Sequence, residues 1–225
     1  MLRTLLKYKV SFIIKSAQGA SRRTYCVTTG VCWSCNKSLV KDNKFFCAAC
    51  GSLQKVKNQD FFELLDVPNT FTINGSILSA NFRELQSVLH PDKFSQKSDE
   101  EKLNSLEWSS LVNKAFKTLT VPLERAKYIL NQKGILIDEE NTSVDPEFLS
   151  DMMDLNEQVE EAQNATELRK IADFVNSDIV KIYSQLQDHF ANNNLSEAKA
   201  TFVRLKYLSN IDNVIKEKAL KYNLK

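Results

Sequence analysis

Four of the five cysteines in this 225-residue chain fall into two C-x-x-C pairs, Cys32 with Cys35 and Cys47 with Cys50, eleven residues apart. Two residues between thiols let one tight turn present both sulfurs to a single ion, and two such turns complete a tetrahedron. A sulfur-only closed site suits zinc in a structural role, one ion per chain, with no position left for a substrate. Paired disulfides are the competing chemistry, but only in an oxidising compartment. A thioredoxin-like redox pair needs a βαβ setting, which is absent here. Cys26 stands outside the pattern. Between the pairs, Leu39, Val40, Phe45 and Phe46 flank Lys41-Asp42-Asn43-Lys44, so Lys37–Phe46 reads as a short β-hairpin.

The second constellation is His90-Pro91-Asp92. A hydrolase built on His90 would need a nucleophile and an orienting acid converging on it, and the sequence offers no such set. The plain alternative is a capped loop histidine with no partner. Which reading holds depends on the elements around the tripeptide.

Those elements read as helices, and the chain as mainly α. Asp60 with Glu63 has capping-box spacing before Phe61–Val67. A second helix is predicted from about Ser76 to Leu89, with Leu78, Phe82, Leu85 and Leu89 on one face. Pro91 stops it. Ser98 with Glu101 opens a third helix that runs to about Leu119, with Trp108, Val112, Ala115 and Leu119 inward. A fourth starts near Pro122 and ends at Lys133-Gly134.

Two antiparallel helices joined by His-Pro-Asp resemble a J-domain. The resemblance is carried by Lys93-Phe94 after the loop, by Leu111-Val112-Asn113-Lys114-Ala115-Phe116-Lys117-Thr118-Leu119, and by Pro122-Leu123-Glu124-Arg125-Ala126-Lys127-Tyr128-Ile129-Leu130. This last run is similar to the HscB family, J-domain co-chaperones of iron–sulfur cluster assembly, whose mitochondrial members often carry paired C-x-x-C knuckles. The resemblance spans roughly residues 32–222. It implies a non-enzymatic adaptor that binds an iron–sulfur scaffold protein, delivers it to a DnaK/HscA-type chaperone and stimulates that chaperone's ATPase. His90, Pro91, Asp92, Arg83 and Lys93 would then face the chaperone, with Asp92 pairing with an arginine. J-domain second helices usually carry several basic residues. Here Arg83 stands alone beside Glu84, with Lys93 and Lys97 just beyond, so charge steering should be weaker.

Beyond residue 144, Asp145-Pro146, Asn164 with Glu167 and Asn194 with Glu197 mark three helix starts, an antiparallel three-helix bundle over 145–222. In its first helix Phe148, Met152, Leu155, Val159 and Ala162 form the core stripe. Leu149 and Met153 lie off it by roughly 100–140°, beside Glu157, Glu160 and Glu161, with Asp154 at the edge. In the third, Ala198, Phe202, Leu205, Leu208, Ile211 and Ile215 face inward, and Val203, Tyr207 and Val214 fall nearly opposite. An apolar pair rimmed by carboxylates suits a partner, although packing on the J-domain or inside a wider core stays open. The resemblance places scaffold binding at Leu149, Met153, Asp154, Glu157, Glu161 and Tyr207. Ser150 departs from bacterial relatives, which often have an apolar residue there.

The expected layout is a transit peptide over 1–25, a zinc-knuckle domain over 26–57, the J-domain over 58–134, a linker over 135–144 and the bundle. No Asp or Glu precedes Asp42, while Arg3, Lys7, Lys9, Lys15, Arg22 and Arg23 interleave with Leu5, Leu6, Phe12, Ile13 and Ile14. That is the composition of a mitochondrial import signal, and Arg23-Thr24-Tyr25 resembles a matrix-protease cleavage context. A basic tail or a secretory signal would be the other readings. The expected location is the mitochondrial matrix, with a minor cytosolic pool and a homodimer through the knuckles left open. A net charge of +2, with lysines dispersed among acids, argues against a nucleic-acid adaptor. Four thiolates on one ion argue against a zinc enzyme. No run of about 18 apolar residues predicts a membrane span.

Overall fold

The computed structural model describes residues 30–39, 44–57, 59–137 and 145–221. The expected transit segment, Cys26, the centre of the expected hairpin at residues 40–43, most of the expected linker and residue 222 lie outside the described residues. Met1–Gly51 and Ser52–Lys225 form two compact units. In the first, the described backbone is two cysteine knuckles and an isolated antiparallel bridge between Val31 and Ser38.

The second unit is helical. Its elements are α1 (Phe61–Leu64), α2 (Gly75–Leu89), a 3-10 turn (Pro91–Phe94), α3 (Asp99–Thr120), α4 (Pro122–Gln132), α5 (Pro146–Glu161), α6 (Ala165–Ala191) and α7 (Leu195–Lys221). Side-chain caps start most of them: Asn74 accepts from Ser76 N and Ile77 N, Asp145 from Glu147 N, and Asn164 from Thr166 N and Glu167 N. At the end of α4, Gly134 takes φ +78 and the Ile135 amide returns to Leu130 O at 3.0 Å, the glycine C-cap expected there. Helix α1 is shorter than its apolar pattern, because Asp66 takes φ +49 and the Val67 amide turns back to Phe62 O at 3.0 Å. The same cap geometry ends the helix three residues early.

Helices α2 and α3 pack as an antiparallel hairpin over Leu78, Leu89, Trp108, Val112, Ala115 and Leu119, all buried. Each of the leucine and valine side chains among them contributes about 1.5–3 kcal/mol on burial. Phe82 stacks on Phe116 at 4.1 Å. Gln86 clasps across the hairpin, donating to Asn113 Oδ1 at 3.0 Å and accepting from Ser109 Oγ at 3.1 Å. Residues ahead of α1 run along α3: Trp108 Nε1 donates to Gln54 O and Asn104 Nδ2 to Leu53 O.

Helices α6 and α7 form the long pair of the second bundle, and α5 leans on α7 more than on α6. Leu155, Val159 and Ala162 are buried as expected, whereas Phe148 and Met152 are only half-buried. Their half of α5 stands beside an open groove against α6 of about 840 Å³. Helix α7 also packs on α4, so the hairpin and the bundle belong to one unit.

Candidate functional site

Both knuckles are built alike. The Asn36 amide returns to Cys32 O at 2.9 Å and the Gly51 amide to Cys47 O at 2.8 Å. Asn36 (φ +58) and Gly51 (φ +75) take the left-handed conformation that these residue types tolerate best. Each knuckle therefore turns just past its second cysteine, and the Asn and Gly at those two places are a sequence signal missed above. Cys32 Sγ lies 3.6 Å from Cys50 Sγ, and Cys35 Sγ lies 3.7 Å from Cys47 Sγ. All four sulfurs sit within 4.8 Å of one another.

A regular tetrahedron with metal–sulfur bonds of about 2.3 Å has sulfur–sulfur edges of about 3.8 Å. The four cysteines fit one ion, and a multi-iron cluster would need them farther apart. The Lys37 backbone pulls the Cys35 thiol down, but desolvation and hydrogen bonds with the Cys50, Cys32 and Cys47 sulfurs outweigh it and push the thiol up to about 11. Crowded thiols resist becoming thiolates until a cation compensates them.

The His90-Pro91-Asp92 loop leaves α2 where His90 turns extended (φ −62, ψ 134), as the following proline demands. His90 Nδ1 accepts from the Asp92 amide at 3.3 Å, and the Lys93 amide bonds His90 O at 3.0 Å. Phe94 is buried and pins the turn on α3. The result is a hydrogen-bonded turn that leaves 89% of the Asp92 side chain in water. Arg83 on α2 and Lys93 and Lys97, just after the loop in sequence, are exposed. Among the described residues, the one acid near His90 Nδ1 is Asp92, at 3.4 Å, and no nucleophile hydrogen-bonds the ring.

On α5 the off-stripe residues behave as a surface. Met153 is 71% exposed, Leu149 is half-buried, and Glu157, Glu160 and Glu161 are exposed. Tyr207, 36% exposed, packs edge-on to Phe148 at 5.8 Å, and Arg204 lies over the other aromatic at 5.1 Å from its centroid. Arg204 was not anticipated, since nothing local ties residue 204 to residue 148. Asp154 is exposed and lines the α5–α6 groove with Asp151 and Phe174. Val203 is buried rather than outward, because α7 packs on α4 as well as on α5 and α6. The carboxyl end of α5 is held by Lys218, whose Nζ donates to Val159 O at 2.7 Å and Glu160 O at 2.6 Å. Among the described residues no helix is long and apolar enough to cross a membrane.

Known proteins share this architecture. A family model described as the HSCB C-terminal oligomerisation domain matches residues 144–216. The chain is 34% identical over 193 residues to the human iron–sulfur cluster co-chaperone protein HscB, across 84% of this chain and 82% of that protein. It is 31% identical over 197 residues to an Arabidopsis thaliana HscB homolog, across 85% and 77%. The crystal structure of the human protein matches with a TM-score of 0.82 at 33% identity, covering 85% of this chain and 100% of that one.

Proposed function

The chain belongs to the HscB family of iron–sulfur cluster co-chaperones, and from that membership we propose that it is a two-surface adaptor joining an iron–sulfur scaffold protein to a DnaK/HscA-type chaperone. As a co-chaperone it is not itself an enzyme. The observation that carries the proposal is the Asp92 carboxylate, exposed to water on a loop shaped by the His90 cap, Pro91 and the buried Phe94. Such a group recognises a cation on a partner, here a chaperone arginine, without paying to order itself on contact. Arg83 and Lys93, both exposed, give the encounter its weak positive charge.

The second surface is Leu149 and Met153 with Glu157, Glu161 and Tyr207, an apolar pair rimmed by carboxylates that suits a scaffold protein with a basic rim. Asp154, at the edge of this face, belongs to the same carboxylate rim and also lines the α5–α6 groove. With the scaffold on one surface and the chaperone on the other, ATP hydrolysis coincides with substrate capture. Cys32, Cys35, Cys47 and Cys50 hold one zinc, whose chemistry is structural: it ties the two knuckles together and leaves no open position. Residues 1–25 direct the chain to the mitochondrial matrix before removal.

The test is single-turnover ATP hydrolysis by the chaperone. His90→Gln and Asp92→Asn are expected to abolish stimulation while the circular dichroism of the helices stays unchanged. Undiminished stimulation by both variants would remove the J-domain role.

A further inference from the structure

Arg125 carries a buried charge that neither proposed surface uses. It stands near the start of α4 and is 8% exposed. Its guanidinium bonds carbonyls in place of a carboxylate. Nε donates to Phe71 O at 2.7 Å, in the loop between α1 and α2, and Nη1 donates to Leu119 O in the last turn of α3. A helix end leaves its last carbonyls without partners and favours a cation, so Leu119 O is a natural acceptor. The guanidinium carbon also lies over the Phe71 ring, 5.3 Å from its centroid. Phe71 in turn meets Phe190, in the last turn of α6, at 5.4 Å. Tyr183, two turns earlier on α6, feels the same charge: burial pushes its phenol up and Arg125 pulls it down.

We propose that Arg125 is a positioning residue that locks the hairpin bearing His90-Pro91-Asp92 to the α5–α7 bundle, so that a scaffold held on α5 meets the chaperone in one orientation. The proposal rests on the two-surface reading above and adds the part that couples the surfaces. One planar group spans the α1–α2 loop and the end of α3, and through Phe71 it reaches α6. Lysine cannot replace it fully, because its one nitrogen does not supply the two separated donors with which the guanidinium reaches Phe71 O and Leu119 O while facing the Phe71 ring. A neutral side chain of similar length leaves both buried carbonyls without this donor. The contact of α4 with α7 remains in either case, so the modules stay docked but lose their fixed angle.

The experiment compares the full chain with Arg125→Met and Arg125→Lys. Backbone residual dipolar couplings report orientation directly. In the wild type, amides of α2 and α3 and amides of α6 and α7 are expected to fit one alignment tensor, whereas in Arg125→Met the two groups need separate tensors. In the ATPase assay, Arg125→Met should lose at least about fivefold of the extra stimulation contributed by scaffold, the scale of an ordinary coupling free energy. Scaffold affinity and scaffold-free stimulation should stay within about twofold, because neither surface is touched. Arg125→Lys should recover part of the loss. A single tensor in Arg125→Met, or an unchanged scaffold increment, overturns the proposal. If Arg125→Met does not fold, Phe190→Leu severs the link from the α6 side and is read the same way. The couplings judge the lock whatever the ATPase assay says of the adaptor role.

Discussion

Truncating Met153 to Ala separates recognition from packing on α5. Met153 leaves 71% of its surface in water, while Leu155 is 6% exposed. Burying a whole methionine side chain is worth about 1.5–3 kcal/mol. The part still exposed, roughly seven-tenths of it, can return about 1–2 kcal/mol when a partner covers it. Met153→Ala should therefore raise the Kd for scaffold by about five- to thirtyfold. The free protein loses little, so urea unfolding should move by no more than about 0.5 kcal/mol. Leu155→Ala is the control, with an expected stability loss of about 2–5 kcal/mol. Leu149 is half-buried, so the double variant Leu149→Ala/Met153→Ala should cost about 2 kcal/mol or more of binding with a moderate stability change. The assay is calorimetric titration of scaffold beside chemical denaturation of the same preparations. Loss of more than about 2 kcal/mol of stability in Met153→Ala with an unchanged Kd would refute the reasoning, since that is the signature of a core residue.

Three further outcomes are expected. Elemental analysis of protein purified under reducing conditions should find about one zinc per chain, lost in Cys47→Ser while the helices persist; no metal in the wild type would reject the site. Asp60 caps α1 at Phe62 N and also accepts from Tyr128 Oη at 3.1 Å and Gln132 Nε2 at 2.8 Å. Asp60→Ala should thus lower stability by about 2 kcal/mol in urea, and a change below about 0.5 kcal/mol would contradict that network. Deleting residues 1–25 should leave a fluorescent fusion in the cytosol, and unchanged mitochondrial import would count against the targeting role.

Much of the site was legible in the sequence because it is made by contacts a few residues apart. A C-x-x-C turn, a proline after His90, an Asn or Asp ahead of a helix and a stripe at helical spacing each act within one or two turns of backbone. The capping residues Asn164, Asp145 and Ser98 consequently stand where they were expected. Even there a partner from afar intervenes: Glu101, expected to serve only its own helix start, also accepts from the Leu53 amide at 3.3 Å.

What only the tertiary structure decided is which neighbour covers each face. Periodicity gives an angle about a helix axis and says nothing of the element lying at that angle. That is why Phe148 and Met152 share a stripe with Val159 yet are half open, since α5 leans on α7 and parts from α6 near its start. It is also why Val203 is buried and Asp154 turns toward the groove. Arg125 is the clearest case. As sequence it is one cation near a helix start, where the helix dipole disfavours it. Its carbonyl partners at Phe71 and Leu119 stand 54 and 6 residues away, and only the folded chain brings them to one guanidinium.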